Sequence, residues 1–307
     1  MAFLFPGHGA QSSGMLARIP DTPAVRRTFA EATAMLGYSI SHLDSPAALR
    51  QTEPTQLALF VAAVAGARML AEEGITPAFL TGHSGGAFAA AVCGGVVSIE
   101  EGLHLVRLRG STMQTAFPSG FGMATITGVP RPVCEDWIHQ VSSEGGVVYA
   151  ACYNAPDQLS ISGATESLNR VLDLAQARGV RKATRLEINA PSHTPLMLGV
   201  AEKMWRAMQG IVPRNPVVPY ASSRTARLLF RGEAVLRDLA YSVAEPVQWH
   251  EVVSLLYENG VRNFAEMYPG DILTNLASKA FPDVRCLALE RSGAASLAAA
   301  IRTTGIL

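Results

Sequence analysis

Residues 77–95 read PAFLTGHSGGAFAAAVCGG. An apolar stretch ends at Leu80, a serine stands between glycine positions in Gly82-His83-Ser84-Gly85-Gly86, and an alanine-rich stretch follows at once. A G-x-S-x-G run between a strand and a helix is the pattern of a nucleophile elbow, whose glycines permit a sharp turn and leave the serine exposed in a strained bend. The next helix would turn its free N–H groups and positive dipole end toward whatever binds Ser84. The Gly85 N–H would lie where an oxyanion forms. The competing reading is a glycine-rich turn whose serine caps a helix. Short glycine-serine patterns recur by chance, so the motif alone leaves both open.

The surrounding chain supplies a setting for such an elbow. Ala2–Phe5 is a short buried-strand candidate that runs into Pro6-Gly7-His8-Gly9. Residues 54–73 read as a core helix, opened by Pro54 and followed by Gly74. Ser98-Ile99-Glu100-Glu101 is a capping box that launches a helix through Leu103, Leu105, Val106 and Met113. Such strand-turn-helix units predict an α/β body, a parallel sheet covered by helices. The middle of the chain differs. Strand signals at Gly122–Val129, Val147–Tyr153, Gln158–Gly163 and Ala183–Ile188 alternate with helix signals at Pro132–Ser143 and Ser167–Arg178. That order, βαββαβ, is ferredoxin-like. Residues 121–188 are therefore expected to form a small subdomain inserted into a body made of 1–120 and 189–307. Helices at about 195–209, 232–243 and 249–259 and a strand at about 261–266 complete that body.

Composition narrows the function classes. The chain has 307 residues, 49% of them apolar, and a formal net charge of zero. It has no bulk attraction to nucleic acid or to an anionic membrane. Cys93, Cys134, Cys152 and Cys286 are far apart without a C-x-x-C, which indicates neither a disulfide framework nor a zinc ribbon and fits a reducing cytoplasm. The opening MAFLFPGHGAQ lacks the marks of a signal peptide. The longest apolar stretch, Leu57 to Ala67, is too short to span a bilayer.

A serine nucleophile needs a base. Among the histidines, His193 stands in Asn189-Ala190-Pro191-Ser192-His193-Thr194-Pro195, a loop stiffened by two prolines where the chain returns from the insertion to the body. Such a junction suits an imidazole held over a cleft, although a structural histidine is an equal reading. His83 lies inside the elbow but points differently from Ser84 and reads as a supporting residue. No histidine pair has metal-ligand spacing, so no metal site is expected. Arg109, in Arg107-Leu108-Arg109-Gly110, could reach into an apolar pocket and grip a carboxylate with two hydrogen bonds. A solvated helix face is the plainer alternative. Arg107 and Arg109 are about 200° apart on a helix and cannot share a face. Gly7-His8-Gly9 suits close backbone approach and could bring a second N–H to the oxyanion. Arg178, Arg181, Lys182 and Arg185 cluster in the insertion, as a solvated face or as a surface for an acidic partner.

Together, FPGHGAQ at 5–11, GHSGG at 82–86, RLRG at 107–110, YNAPDQLSISG at 153–163, APSH at 190–193 and EPVQW at 245–249 resemble, in this order, the malonyl-CoA:acyl-carrier-protein acyltransferases. The resemblance runs from residue 2 to about 280. GFGMATITG at 120–128, SSRTARLL at 222–229 and LRDLAYSVAEPVQWHE at 236–251 look most like the malonyl transferase subunit of malonate decarboxylase.

The resemblance implies an α/β-hydrolase-like large subdomain with the ferredoxin-like insertion, and it implies roles. Ser84 resembles the nucleophile, His193 its base, and Arg109 the arginine that holds the malonyl carboxylate. The N–H groups of His8 and Gly85 resemble the oxyanion hole. Gln248 resembles the residue whose main-chain carbonyl orients the histidine, and Asn154, with His83, would line the cleft. Three positions depart from the family pattern: His8 replaces glutamine, Gly85 a branched aliphatic residue, and Tyr268-Pro269-Gly270 the usual GPG. The implied reaction is ping-pong transfer of malonyl from malonyl-CoA, through a malonyl-serine, to an acyl-carrier protein bearing a phosphopantetheine-type thiol. No bound cofactor, nucleic acid or membrane is implied, and the other malonate decarboxylase subunits are possible partners. A free-standing malonyl transferase of fatty-acid or polyketide synthesis is the alternative with the same chemistry. A serine thioesterase or esterase, and a binding subunit without turnover, are alternatives of other classes.

Overall fold

Short apolar tetrapeptides ending in glycine turns build the centre of the molecule. The protein is described here as a computed structural model covering residues 1–302. Its strands are β1 (Ala2–Phe5), β2 (Phe79–Gly82), β3 (Phe121–Thr127), β4 (Val148–Ala155), β5 (Gln158–Ala164), β6 (Lys182–Arg185), β7 (Tyr220–Ser222), β8 (Arg227–Leu229), β9 (Asn263–Glu266) and β10 (Arg285–Ala288). The helices are α1 (Pro23–Leu36), α2 (Thr52–Glu72), α3 (Gly86–Cys93), α4 (Ile99–Ala116), α5 (Arg131–Ser143), α6 (Thr165–Ala177), α7 (Leu198–Met208), α8 (Gly232–Tyr241), α9 (Trp249–Glu258), α10 (Ile272–Ala280), α11 (Leu289–Ser292) and α12 (Ala294–Arg302).

The main sheet has the order β10-β9-β1-β2-β7-β8, parallel throughout except for β8, which is antiparallel to β7. β1 lies between β2 and β9 and is buried at all four positions, as a parallel strand covered on both faces must be. Helix α2 packs against α1, α3 and α4. It is longer than its apolar stretch suggested. By length and composition it could cross a membrane, but 83% of its apolar window is buried inside the protein, where it serves as a core helix. The capping box forms at Ser98 and Glu101 and starts α4. Gly110 lets α4 approach α2 closely, since a Cβ there would lie 2.6 Å from the Glu53 Cα.

The insertion forms a four-stranded antiparallel sheet of order β4-β5-β3-β6, the ferredoxin-like arrangement. Alternation along β3 separates its two faces: Ala124 and Ile126 join Trp137, Val141, Leu168 and Val171 under α5 and α6, whereas Met123, Thr125 and Thr127 face a cleft against the main body. Val247 clips the small sheet to that body, donating to the Ala151 carbonyl and accepting from the Tyr153 N–H, both at 2.8 Å.

Two strands end earlier than expected. β3 ends at Thr127 because Gly128 turns at φ +98°. β6 stops at Arg185 rather than reaching Ile188; Leu186 adds one bond to the Met123 carbonyl before the chain leaves toward His193. The hairpin β7–β8 and strand β10 were not foreseen, being three or four residues long and too short to show a period.

Gly85 and Gly86 make a testable contrast. A Cβ on Gly86 would sit 2.1 Å from the Phe5 carbonyl oxygen, whereas one on Gly85 would meet nothing closer than an Arg109 Nη1 at 3.6 Å. Gly86→Ala should cost about 3 kcal/mol or more, since neither backbone can yield, and lower Tm by roughly 6–12 °C. Gly85→Ala, at an ordinary φ of −58°, should melt with the parent. Calorimetry of both variants decides; equal Tm values would refute the close contact.

Candidate active site

The elbow is built by backbone packed on backbone. β2 ends at Gly82, Ser84 takes a left-handed φ of +53°, and α3 begins at Gly86. The turn after β1 presses against it: a Cβ on Gly7 would lie 2.3 Å from the His83 carbonyl oxygen. The N–H groups of His8 and Gly85 donate to no other atom of the described chain. Both belong to turns flanking Ser84, so they are open to a ligand atom.

His193 also sits at a positive φ, +64°. Strain at a buried polar residue persists where surrounding contacts over-determine it. Here its N–H donates to the Val243 carbonyl at 2.7 Å. Its ring lies between Ser84 and the end of α8: Nε2 is 2.7 Å from the Ser84 Oγ, and Nδ1 is 2.7 Å from the Ser242 carbonyl and 3.2 Å from the Glu245 carbonyl. Carbonyls only accept, so Nδ1 carries the hydrogen and Nε2 is left to accept from the serine hydroxyl.

The expectation for Gln248 is corrected here. Its carbonyl accepts from the Val252 N–H at 3.0 Å and its N–H donates to the Ser223 carbonyl at 2.6 Å. Gln248 is the N-cap of α9, so its carbonyl is committed to the first helical bond. Ser242 is the C-cap of α8, where carbonyls are left over, and the negative end of that helix favours a positive imidazole.

Arg109 points inward from α4 and is 2% exposed. Arg107 points out, to Glu53 at 3.2 Å. Arg109 Nη1 donates to the Gln56 Oε1 at 2.8 Å and Nη2 to the Ser84 Oγ at 3.3 Å, while Nε has no partner among the described residues. No carboxylate among the described residues pairs with it. Burial pulls the guanidinium down to about 10, still protonated at neutral pH. Buried cations are normally paired; this one has neutral partners and a free edge beside a serine. Burial, then the charge of Arg109, then His83, lower His193 to about 3. Burial and then Arg109 lower His8 to about 4. The imidazoles beside the guanidinium are neutral bases.

These groups open onto one cavity of about 470 Å³ between the two sheets, whose walls include Met113, Met123, Ile272 and Leu276. His83 and Asn154 both line it. His83 Nε2 is 3.2 Å from the Asn154 Oδ1, Asn154 donates to the Ser160 Oγ at 3.2 Å, and the Trp249 ring packs on His83 with centroids 5.3 Å apart. The basic cluster does not act as a unit. Arg181 pairs with Asp157 at 3.0 Å, Arg185 bonds Asn169 at 3.3 Å, and Lys182 stands at the cavity's edge.

The structure thus gathers Ser84, His193, Arg109, His8, His83 and Asn154 around one space, with Gly85 next to Ser84, and leaves Gln248 out of its lining. Gln56, Ser242 and Glu245 were missed. Gln56 did leave a signal, as a lone amide at the head of the apolar run LALFVAAVA. A main-chain carbonyl leaves none, because every residue has one.

Known proteins carry the same pattern. The chain matches the acyl transferase domain family over residues 2–302. It is 36% identical over 307 residues to the malonyl CoA-acyl carrier protein transacylase of Escherichia coli K12, covering 97% of this chain and 98% of that protein. Its likeness to the protein of the same name from Bacillus subtilis 168 is 33% over 284 residues, covering 91% and 90%. Among solved structures, FabD from Acinetobacter baumannii has a TM-score of 0.93 at 33% identity, covering 99% of this chain and 98% of that one. A malonyl-transacylase in complex with its type II PKS acyl-carrier protein has a TM-score of 0.91 at 34% identity, covering 98% and 99%. A likeness that runs nearly the full length of both partners, in sequence and in backbone alike, makes this protein an acyltransferase that belongs to the acyl transferase family, among the malonyl CoA-acyl carrier protein transacylases.

Proposed function

We propose that the protein is a free-standing transferase that moves malonyl from malonyl-CoA to the thiol of an acyl-carrier protein. The observation that carries this reading is the buried Arg109, without a carboxylate of its own, 3.3 Å from a serine Oγ that an imidazole nitrogen approaches at 2.7 Å. Such a site is short of one negative charge, and a malonyl thioester supplies it next to the reacting carbonyl. The carrier protein as acceptor follows the relatives, one of which was solved with such a partner. The segments that resemble the malonate decarboxylase subunit imply another carrier for the same chemistry; the relatives described above favour the free-standing enzyme.

The mechanism runs through an ester. His193 Nε2 takes the Ser84 proton as Oγ attacks the thioester carbon. The N–H groups of His8 and Gly85 hold the tetrahedral oxyanion, each worth on the order of 3 kcal/mol. The carbon–sulfur bond breaks, coenzyme A leaves with the proton from His193, and malonyl-Ser84 remains. A carrier thiol then gives its proton to His193, attacks the ester and frees the serine, which recovers that proton. General-base help is worth roughly 10²–10⁴ in rate. Carbonyls, rather than a carboxylate, support His193 Nδ1. This departs from the Ser-His-Asp pattern of many hydrolases and favours transfer over the thioesterase reading. Asn154 bonds His83 at the cleft wall.

Intact-mass measurement after incubation with malonyl-CoA should give a malonyl adduct on the parent and none on Ser84→Ala. A full adduct on the variant would move the nucleophile elsewhere. Carrier thiol should then discharge the adduct much faster than buffer does; discharge at equal rates would favour the hydrolase.

Substrate choice tests Arg109. A hydrogen bond to a charged group contributes roughly 1.5–3 kcal/mol, so Arg109→Ala should cut malonyl transfer about a hundredfold or more while acetyl transfer holds or rises. Arg109→Lys should also be poor with malonyl, lacking the fork. An unchanged malonyl-to-acetyl ratio in Arg109→Ala would sink the malonyl assignment.

The pH profile tests His193. A lowered pKa keeps the base neutral as pH falls, so kcat/KM for acylation should show no inflection near 6.5 between about pH 8 and 5. Once a bound carboxylate offsets Arg109, the imidazole should titrate higher, so the acid limb of kcat should lie above that of kcat/KM. An inflection near 6.5 in kcat/KM would mean a solvated histidine.

A further inference from the structure

The five-residue turn Ser222–Ala226 lies outside the cavity, yet it is bonded to both halves of the site. Ser223 Oγ donates to the Gly82 carbonyl at 2.8 Å, two residues before Ser84. The Ser223 carbonyl accepts the Gln248 N–H at 2.6 Å. Ser222 Oγ donates to the Asp238 Oδ1 at 2.6 Å and accepts from the N–H of Arg224 at 3.2 Å and of Thr225 at 3.0 Å. Arg224 then reaches two carboxylates: Nε donates to the Asp238 Oδ1 at 3.0 Å, and Nη1 to the Glu245 Oε1 at 2.8 Å. Ala226 holds a φ of +50°, which a non-glycine residue adopts only under constraint.

The two carboxylates bracket the acceptors of the histidine. Asp238 is 2% exposed on the last full turn of α8, and its carbonyl accepts the Ser242 N–H at 2.9 Å. Glu245 offers its own carbonyl to His193 Nδ1. Val243, Ala244 and Val247 bury the chain between α8 and α9 in the core, and the Arg224 bridge adds a polar side-chain link to it. We infer that Arg224 is a positioning residue: by bridging Asp238 and Glu245 it holds the segment between them so that the Ser242 and Glu245 carbonyls stay aimed at His193 Nδ1. Released, the segment lets the ring turn and Nε2 leave the serine. A misplacement of about 1 Å at a reacting pair costs on the order of a hundredfold.

This inference rests on Ser84 and His193 acting together, as in the proposed function, but not on the acyl group. Two probes separate these: acylation of Ser84 by saturating malonyl-CoA, and its sulfonylation by phenylmethylsulfonyl fluoride, which reads the Ser84–His193 pair whatever acyl group the site takes. The Glu245 side chain is half exposed, so Glu245→Ala should fold normally, with Tm within about 2 °C of the parent. It should slow both reactions by about fivefold or more, with KM within about twofold. Arg224→Ala should slow both by about tenfold or more, and the double variant should be no slower, since the two residues act as one pair. Arg224→Lys should regain Tm but not rate, because one ammonium cannot span both carboxylates.

A Glu245→Ala protein with a smaller loss than this, or an effect confined to KM, would overturn the inference even if Arg224→Ala fails to fold. So would additive losses in the double variant. If malonyl-CoA proves inert while sulfonylation follows the expected order, the malonyl reading fails and the positioning role stands. A parent inert to both probes would remove the Ser84–His193 pair on which it rests.

Discussion

Close contact between two backbones governs this molecule. The end of β1 and the elbow after β2 pack so tightly that Gly7 and Gly86 leave no room for a Cβ. One contact has several consequences. It lifts Ser84 into a left-handed turn at the end of the central strands and sets α3 behind it. It also places the unpaired N–H groups of His8 and Gly85 on the flanks of the serine. The β1–β2 register, with Phe5 beside Gly82, locks both turns at the same height.

Charge is the second organising feature. A guanidinium buried without an anion is costly, and the structure lowers that cost with the Gln56 oxygen and the face of the Phe88 ring, 6.0 Å away at its centroid, rather than with a carboxylate. Burial first, and then the same charge, keep His193 and His8 neutral. Under the proposed function, a carboxylate bound at Arg109 offsets that charge and makes the His193 imidazole a better proton acceptor.

The small sheet gives the cleft its second wall. Alternation along β3 sends Ala124 and Ile126 to its own core and Met123 and Thr125 to the cavity, and Val247 stitches β4 to the segment just before α9. The strand that walls the cleft and the segment that supports His193 are thus neighbours in one hydrogen-bonded network. The arrangement leaves Ser84 only 9% and His193 only 2% exposed.

Much of this was determined by the sequence alone. The capping box at Ser98, the alternation of β3, the βαββαβ order and the glycine-flanked Ser84 are set by residues within a few positions of one another, where backbone sterics and side-chain reach decide the outcome. Ser84 was marked by its glycine-flanked setting, whereas His193 and Arg109 had equal or plainer structural readings locally and were singled out by the family resemblance of the motifs that hold them. Tertiary structure decided the rest. Which carbonyls orient His193 depended on which acceptors remain free once α8 and α9 close, and that freed Ser242, 49 residues away, while committing Gln248 to its own helix. The partner of Arg109 had to come from α2, 53 residues earlier, through a helix contact that Gly102 and Gly110 permit. The brace at Ser222–Ala226 had no local signature, because a polar turn reads the same whether it faces water or two buried halves of a site.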